Sequence, residues 1–223
     1  MENIKARVNT KTRANDTDIK RVRQRAKEGN AEAQCDLGDA YYYGENGVLF
    51  DYEKAAELYM KAAEQGDAEA QYELGNMYYY GDGVPKDIVR SVGYYMKAAE
   101  QGFAEAECKL GLLYEFGFFI QSNEKAVEYY MKAAKHGNAS AQVDLGQMYL
   151  RGRGVPQSNE KAIKWYTKAA KQGHVDAQFV LGWMNELGLG VPQDDESAEE
   201  WYAKAAEQGD VRAEHSLNSM EEE

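Results

Sequence analysis

A ten-residue stretch, Gly-Asn-Ala-Glu-Ala-Gln-Cys-Asp-Leu-Gly at 29–38, recurs along the chain with small changes. Its closing pair falls at Leu37-Gly38, Leu74-Gly75, Leu110-Gly111, Leu145-Gly146 and Leu181-Gly182, and a degenerate copy ends at Leu217-Asn218. The glycines are 37, 36, 35 and 36 residues apart. A period of this length marks stacked supersecondary units, because one such unit cannot bury its own apolar face. It overrides the one or two globular domains that 223 residues would otherwise suggest. The expectation is one elongated array whose units pack on their neighbours and present a surface rather than a reaction centre.

The second unit, 67–102, shows how a copy is built. Asp67 follows Gly66 and reads as an N-cap, its carboxylate accepting a free amide of the first turn. Ala70, Leu74 and Tyr78 then recur at i, i+4 and i+8 on one helix face. Gly75 costs that helix about 1 kcal/mol, which close approach of a neighbouring helix would offset. Gly81-Asp82-Gly83-Val84-Pro85 is a turn cluster that stops it. A second helix starts at Asp51, Asp87, Ser122, Ser158 or Asp194, all preferred capping residues. It carries Tyr59, Tyr95, Tyr130, Tyr166 or Tyr202 and ends in Lys-Ala-Ala-x-x-Gly. Gly66, Gly102, Gly137, Gly173 and Gly209 are placed there to adopt the left-handed conformation that closes a helix.

Each unit is therefore a helix–turn–helix pair, and the fold class an all-α superhelical solenoid. Five complete units span 30–66, 67–102, 103–137, 138–173 and 174–209. Residues 1–15 read as a basic, flexible leader, 16–29 as an N-terminal capping helix, and 210–223 as a C-terminal capping helix with an acidic tail.

Charge restricts the partners. The net charge is −12, whereas a nucleic-acid binder needs clustered Lys and Arg to neutralise phosphates. Residues 1–27 hold nine basic against three acidic residues, which leaves −18 for the remainder. That arm reads as a solvated leader, with a tether for an acidic partner or membrane surface as the sharper alternative. No apolar run approaches the ~20 residues of a membrane helix, and the first residues lack the apolar core of a secretory signal. If they are the natural start, a cytoplasmic location is expected. Cys35 and Cys108 share one column two units apart, too far for a disulfide, and free thiols suit a reducing compartment.

These residues resemble the Sel1-like repeat family, a relative of the tetratricopeptide repeat with a longer unit. The matching pattern is A-x-A-Q-x-x-L-G-x-x-Y-x-x-G-x-G-V, a polar cap, then A-x-x-W/Y-Y-x-K-A-A-x-Q-G, in five copies over roughly 30–209. The resemblance implies an α/α superhelix acting as an adaptor in protein–protein contacts, commonly in bacteria. Some secreted members carry a cysteine pair in every repeat and have been linked to penicillin binding; this chain lacks those pairs. The third repeat departs from the pattern at Gly117-Phe118-Phe119-Ile120, where a Gly-x-Gly-Val-Pro turn would stand.

Nothing assembles into a catalytic, cofactor or metal constellation. Ser122-x-x-Lys125 and Ser158-x-x-Lys161 match the S-x-x-K of penicillin-binding enzymes, but S-D-N and K-T-G companions are missing. Both serines fall in the N-cap column. His136, His174 and His215 sit at unrelated positions without a second ligand at i+4. The Gly-x-Gly turns lack the Lys-Ser/Thr of a phosphate loop.

A surface is the better candidate. By resemblance to tetratricopeptide repeats, the first helix of each unit lines the concave face. Helical geometry sends there the residues two before the motif Leu and two, five and six after it. These are Cys35, Asp39, Tyr42 and Tyr43, then Tyr72, Asn76, Tyr79 and Tyr80, then Cys108, Leu112, Glu115 and Phe116. The fourth unit adds Val143, Gln147, Leu150 and Arg151, and the fifth Phe179, Trp183, Glu186 and Leu187. Such a groove suits a protein or peptide with apolar anchors and some Lys or Arg. Phe118, Phe119 and Ile120 form a secondary patch. The reading is a monomeric, non-enzymatic adaptor without cofactors. An inhibitor or immunity protein masking a partner enzyme is the alternative, and a penicillin-hydrolysing enzyme, by family analogy, the rival from another class.

Overall fold

The computed structural model describes residues 16–117 and 121–221. These hold twelve helices and no strand. In order they are α1 (Asp16–Lys27), α2 (Ala31–Tyr43), α3 (Tyr52–Glu64), α4 (Ala68–Tyr80), α5 (Ile88–Glu100), α6 (Ala104–Phe116), α7 (Asn123–Lys135), α8 (Ala139–Arg151), α9 (Asn159–Lys171), α10 (Val175–Glu186), α11 (Asp195–Ala206) and α12 (Val211–Glu221). The chain divides into two compact units, the first ending at Gln101 and the second beginning at Gly102. In the first, α2 packs on α3 and α4 on α5, with α1 against α2 and α3 against α4. In the second, the pairs α6–α7, α8–α9 and α10–α11 stack in turn, and α12 closes on α11.

Local chemistry sets the helix ends where the repeat pattern places them. Asp51, Asp87, Ser122, Ser158 and Asp194 each accept the amide three residues on. Asn30, Asp67 and Asn138 do the same for α2, α4 and α8. Such a cap contributes about 1 kcal/mol. The exceptions are α6 and α10, which begin after Phe103 and His174 without a side-chain cap. The third unit also closes its first helix differently: Gly117 is extended at φ −68°, whereas Gly44, Gly81 and Gly152 are left-handed. Phe118, Phe119 and Ile120, like the 1–15 leader, lie outside the described residues.

The core of each pair is a ring laid on a glycine. Tyr59, Tyr95, Tyr130, Tyr166 and Tyr202 are buried, and each lies against the Leu-Gly glycine of the preceding helix. A Cβ at Gly111 would stand 2.5 Å from the Tyr130 ring. The glycine's helix cost is thus offset by burial of an aromatic ring, a contribution of roughly 1.5–3 kcal/mol for a large side chain. A second close approach explains the second turn glycine. Gly190, left-handed at φ +83°, has the backbone of Asn159, at the start of the preceding second helix, 2.6 Å from where its Cβ would be.

Polar bonds join successive layers. Gln34 Nε2 donates to the Ala26 carbonyl of α1 at 3.2 Å, while Gln65 Nε2 donates to Gln34 Oε1 at 2.8 Å. Gln71 with Gln101, Gln142 with Gln172, and Gln178 with Gln208 repeat the side-chain pairing. In the third repeat the pair is Glu107 and His136. A buried amide must be matched or it costs about 1–3 kcal/mol, so this ladder fixes how one pair seats on the next.

Candidate functional site

The first-helix positions selected from the sequence divide in the structure by what they touch. Asp39 and Asn76 accept hydrogen bonds from the buried hydroxyls of Tyr59 and Tyr95, each at 2.7 Å. Glu115 accepts from Tyr130 at 2.9 Å and also meets Arg153 at 3.4 Å. Glu186 accepts from Tyr202. Each of these four repeats therefore spends one polar side chain, two or five residues after the motif leucine, on holding its own core tyrosine. Burial, reinforced by the facing carboxylate, pushes the hydroxyls of Tyr59, Tyr130 and Tyr202 above the usual phenol range and keeps them as donors. Glu115 is itself buried, as are Cys35 and Cys108, so these three line the core rather than a groove.

In the first unit the exposed side of α2 and α4 is tyrosine-rich. Tyr42 packs edge-on to Tyr43 at 4.9 Å and donates to Asp82 at 2.9 Å. Tyr79 and Tyr80 pair at 5.0 Å, and the Lys86 ammonium lies 5.8 Å from the Tyr79 ring centre. Tyr80 is 58% exposed, whereas Tyr72 packs on Tyr95 at 5.7 Å.

In the second unit, Gln147, Leu150, Arg151 and Trp183 line one open cavity of about 500 Å³, together with Tyr166 and Leu189. Sequence reasoning named the first four but not the last two. Phe116 is exposed and Leu112 half-buried. Phe179 does not join the cavity; it packs on Tyr202 and lies 4.4 Å beneath the Arg212 guanidinium of α12, as core of the C-terminal cap.

The second helices carry a feature not anticipated from the sequence. Lys97, Lys132, Lys168 and Lys204 lie 4.2–5.2 Å over the rings of Tyr94, Tyr129, Trp165 and Trp201. The signal was present as an aromatic followed three residues later by Lys, one helical turn apart.

Five matches to the Sel1 repeat family cover residues 31–67, 68–103, 104–138, 139–174 and 175–210. The chain belongs to the Sel1 repeat family. It is similar to solved structures of the same kind. A protective antigen displaying an SLR fold, present in uropathogenic Escherichia coli strains, aligns with 36% identity and a TM-score of 0.85 over 91% of this chain. The alignment covers 43% of that chain, so this sequence spans less than half of its relative's length. A Sel1 repeat protein from Oxalobacter formigenes aligns with 37% identity and a TM-score of 0.76, over 85% of this chain and 75% of the other. An immunity protein from Pseudomonas aeruginosa aligns with 26% identity and a TM-score of 0.53, over 82% and 66%. No curated protein sequence matches the chain.

Sel1 repeats mediate protein–protein contacts, and the chain is a helical-repeat scaffold of that type. The S-x-x-K serines of this Sel1 array are occupied structurally. Ser122 Oγ accepts the Lys125 amide at 3.2 Å and donates to Glu124 at 3.0 Å, while the Lys125 ammonium lies 5.1 Å over the Tyr114 ring. Ser158 and Lys161 repeat the arrangement with Glu160 and Tyr149. Neither Cys35 nor Cys108 forms a disulfide among the described residues; both are buried, and burial pushes the Cys108 thiol up to about 12. Among the described residues no group of His, Cys, Asp or Glu could hold a metal ion, and no helix is long and apolar enough to cross a membrane.

Proposed function

We propose that this Sel1 repeat protein is a non-enzymatic adaptor that binds a protein or peptide segment on the faces lined by its first helices. The observation that supports it is the 500 Å³ cavity of the second unit, where four side chains chosen from the repeat pattern converge. Its volume lies in the range of pockets that take one small ligand or anchoring side chain. The helices on either side are held by buried rings and paired amides, so little ordering entropy opposes binding. Trp183, partly exposed at 36%, is the kind of rigid aromatic that dominates binding energy. In the first unit, Tyr43, Tyr79 and Tyr80 offer a comparable surface.

Trp183→Ala or Tyr79→Ala should weaken a partner by ~1–3 kcal/mol and leave stability nearly unchanged. The test is a lysate pull-down comparing wild type with a folded Tyr79→Ser, Trp183→Ser variant. A protein kept by the first and lost by the second supports the reading. Equal retention would transfer the site to the Phe118–Ile120 patch or the basic arm.

A second reading is favoured by similarity to the Pseudomonas aeruginosa immunity protein. Here the same faces would mask a partner enzyme, and a captured enzyme inhibited by wild type but not by the variant would support it.

A further inference from the structure

The core tyrosine of the fourth repeat differs from its equivalents. Tyr59, Tyr95, Tyr130 and Tyr202 each donate a hydrogen bond to a side chain of the preceding helix. Tyr166 is 3% exposed, yet among the described residues its hydroxyl has no hydrogen-bond partner. Instead it faces the cavity. The position two after the motif leucine is Gln147, whose amide also makes no side-chain hydrogen bond among these residues, and the position five after is the apolar Leu150. The ring is buried while the hydroxyl opens onto the cavity, so it is left for water or an entering group to bond.

The chemistry of that occupant follows from the donors. Arg151 lines the same cavity and forms no ion pair among the described residues. Burial raises the Tyr166 hydroxyl above the usual phenol range, with the Arg151 guanidinium opposing that rise and Asp144 adding to it. A guanidinium, a phenol O–H and two amides, of Gln147 and Asn159, thus line one cavity together with the apolar side chains of Trp183, Leu150 and Leu189. In a chain of net charge −12, this is a local site for negative charge, and guanidinium donors bind a planar carboxylate with two parallel bonds.

We propose that this cavity is the anchor site for a peptide residue that carries a free carboxylate beside an apolar side chain, such as an aromatic C-terminal residue. The proposal rests on the first-helix binding reading and reverses the partner chemistry expected there, because Asp39, Asn76, Glu115 and Glu186 of the other repeats are engaged with their own tyrosines, while this repeat has Gln147 and Leu150 at those positions and adds the Arg151 guanidinium.

The experiment uses the full chain and two small probes, N-acetyl-phenylalanine and its carboxamide, followed by NMR at the Trp183 indole N–H and the Arg151 side chain. The acid should bind about tenfold more tightly than the amide. Arg151→Gln, at an exposed position, should remove that preference while apolar binding persists, and Tyr166→Phe should weaken the acid several-fold. Equal binding of acid and amide, an acid preference that survives Arg151→Gln, or no saturable shift up to ~10 mM would each overturn the proposal. Inorganic phosphate producing the same indole shifts would also overturn it, by revealing an anion site without an apolar anchor. The pull-down with the Trp183→Ser variant decides the broader surface separately: a partner lost there, with acid and amide indistinguishable, leaves the surface standing and removes only the carboxylate.

Discussion

His136 Nδ1 stands 2.8 Å from Glu107 Oε2, in the place where the other four repeats join one glutamine to another. Both members differ together: a carboxylate has lost the amide donor, and an imidazole N–H supplies one. Glu107 is 2% exposed, so its carboxyl group relies on this contact for a hydrogen-bond partner. His136→Leu should destabilise the protein by about 1–3 kcal/mol. The double variant Glu107→Gln, His136→Gln should recover to within about 1 kcal/mol of wild type. Urea denaturation of the three proteins tests the pairing; a His136→Leu protein as stable as wild type would discard it.

Gly111 and Gly146 occupy the same column, but a Cβ would meet the Tyr130 ring at 2.5 Å and the Tyr166 ring at 3.1 Å. Alanine gains about 1 kcal/mol of helix propensity at either site. At Gly111 that gain is outweighed, because Tyr130 is tied to Glu115 and cannot shift; a net loss of about 1–3 kcal/mol is expected. At Gly146 the ring has no such tether, and Gly146→Ala should be close to neutral. Thermal melts that rank the two variants the other way would show that the tether does not hold the ring.

Burial, with a smaller contribution from Glu115, pushes the Asp144 carboxyl up to about 7 from its ordinary 3.8. The folded protein therefore binds this proton more tightly than the unfolded chain does. Stability associated with Asp144 is intact below about pH 4 and declines as pH rises through the interval to about 7. Asp144→Asn should raise stability at pH 8 by roughly 1–2 kcal/mol, water screening at the partly exposed side chain reducing the full effect. The gain should shrink towards pH 5. Paired melting curves at the two pH values test this, and a difference that does not change with pH would refute the assignment.

His174 stands where Asn30, Asp67 and Asn138 cap their helices, yet it makes no capping bond, and its Nδ1 is buried without a partner among the described residues. Burial also draws its pKa down. His174→Asn should add the missing cap to α10 and stabilise the protein by about 1 kcal/mol. A lower midpoint in denaturant would mean that the imidazole packs better than an amide can bond.

The helix boundaries were legible because a cap, a closing glycine and a turn act within a few residues of themselves. Asp51, Asp87, Ser122, Ser158 and Asp194 do what their residue type predicts. Candidate surface residues were less legible. Helical spacing placed Asp39, Asn76, Glu115 and Glu186 on a partner-facing column, and the structure engages all four with tyrosines 15 to 20 residues further along the chain. Phe179 was also selected by spacing, but Arg212 of the capping helix covers it. Spacing specifies a direction from the helix axis; it does not specify what arrives from the next element.

The sequence by itself determined the repeat, its helix pairs and their ends, since each follows from periodicity or from contacts within one turn. Tertiary structure decided which polar side chains are engaged by the core and which remain for a partner. That outcome depends on reach: an Asp or Asn two residues after the leucine, or a Glu five after it, meets a hydroxyl arriving from another helix, whereas Gln147 and Leu150 leave Tyr166 unmatched. No single segment encodes this, because the donor and its acceptor lie on different helices and meet only when the pair has packed.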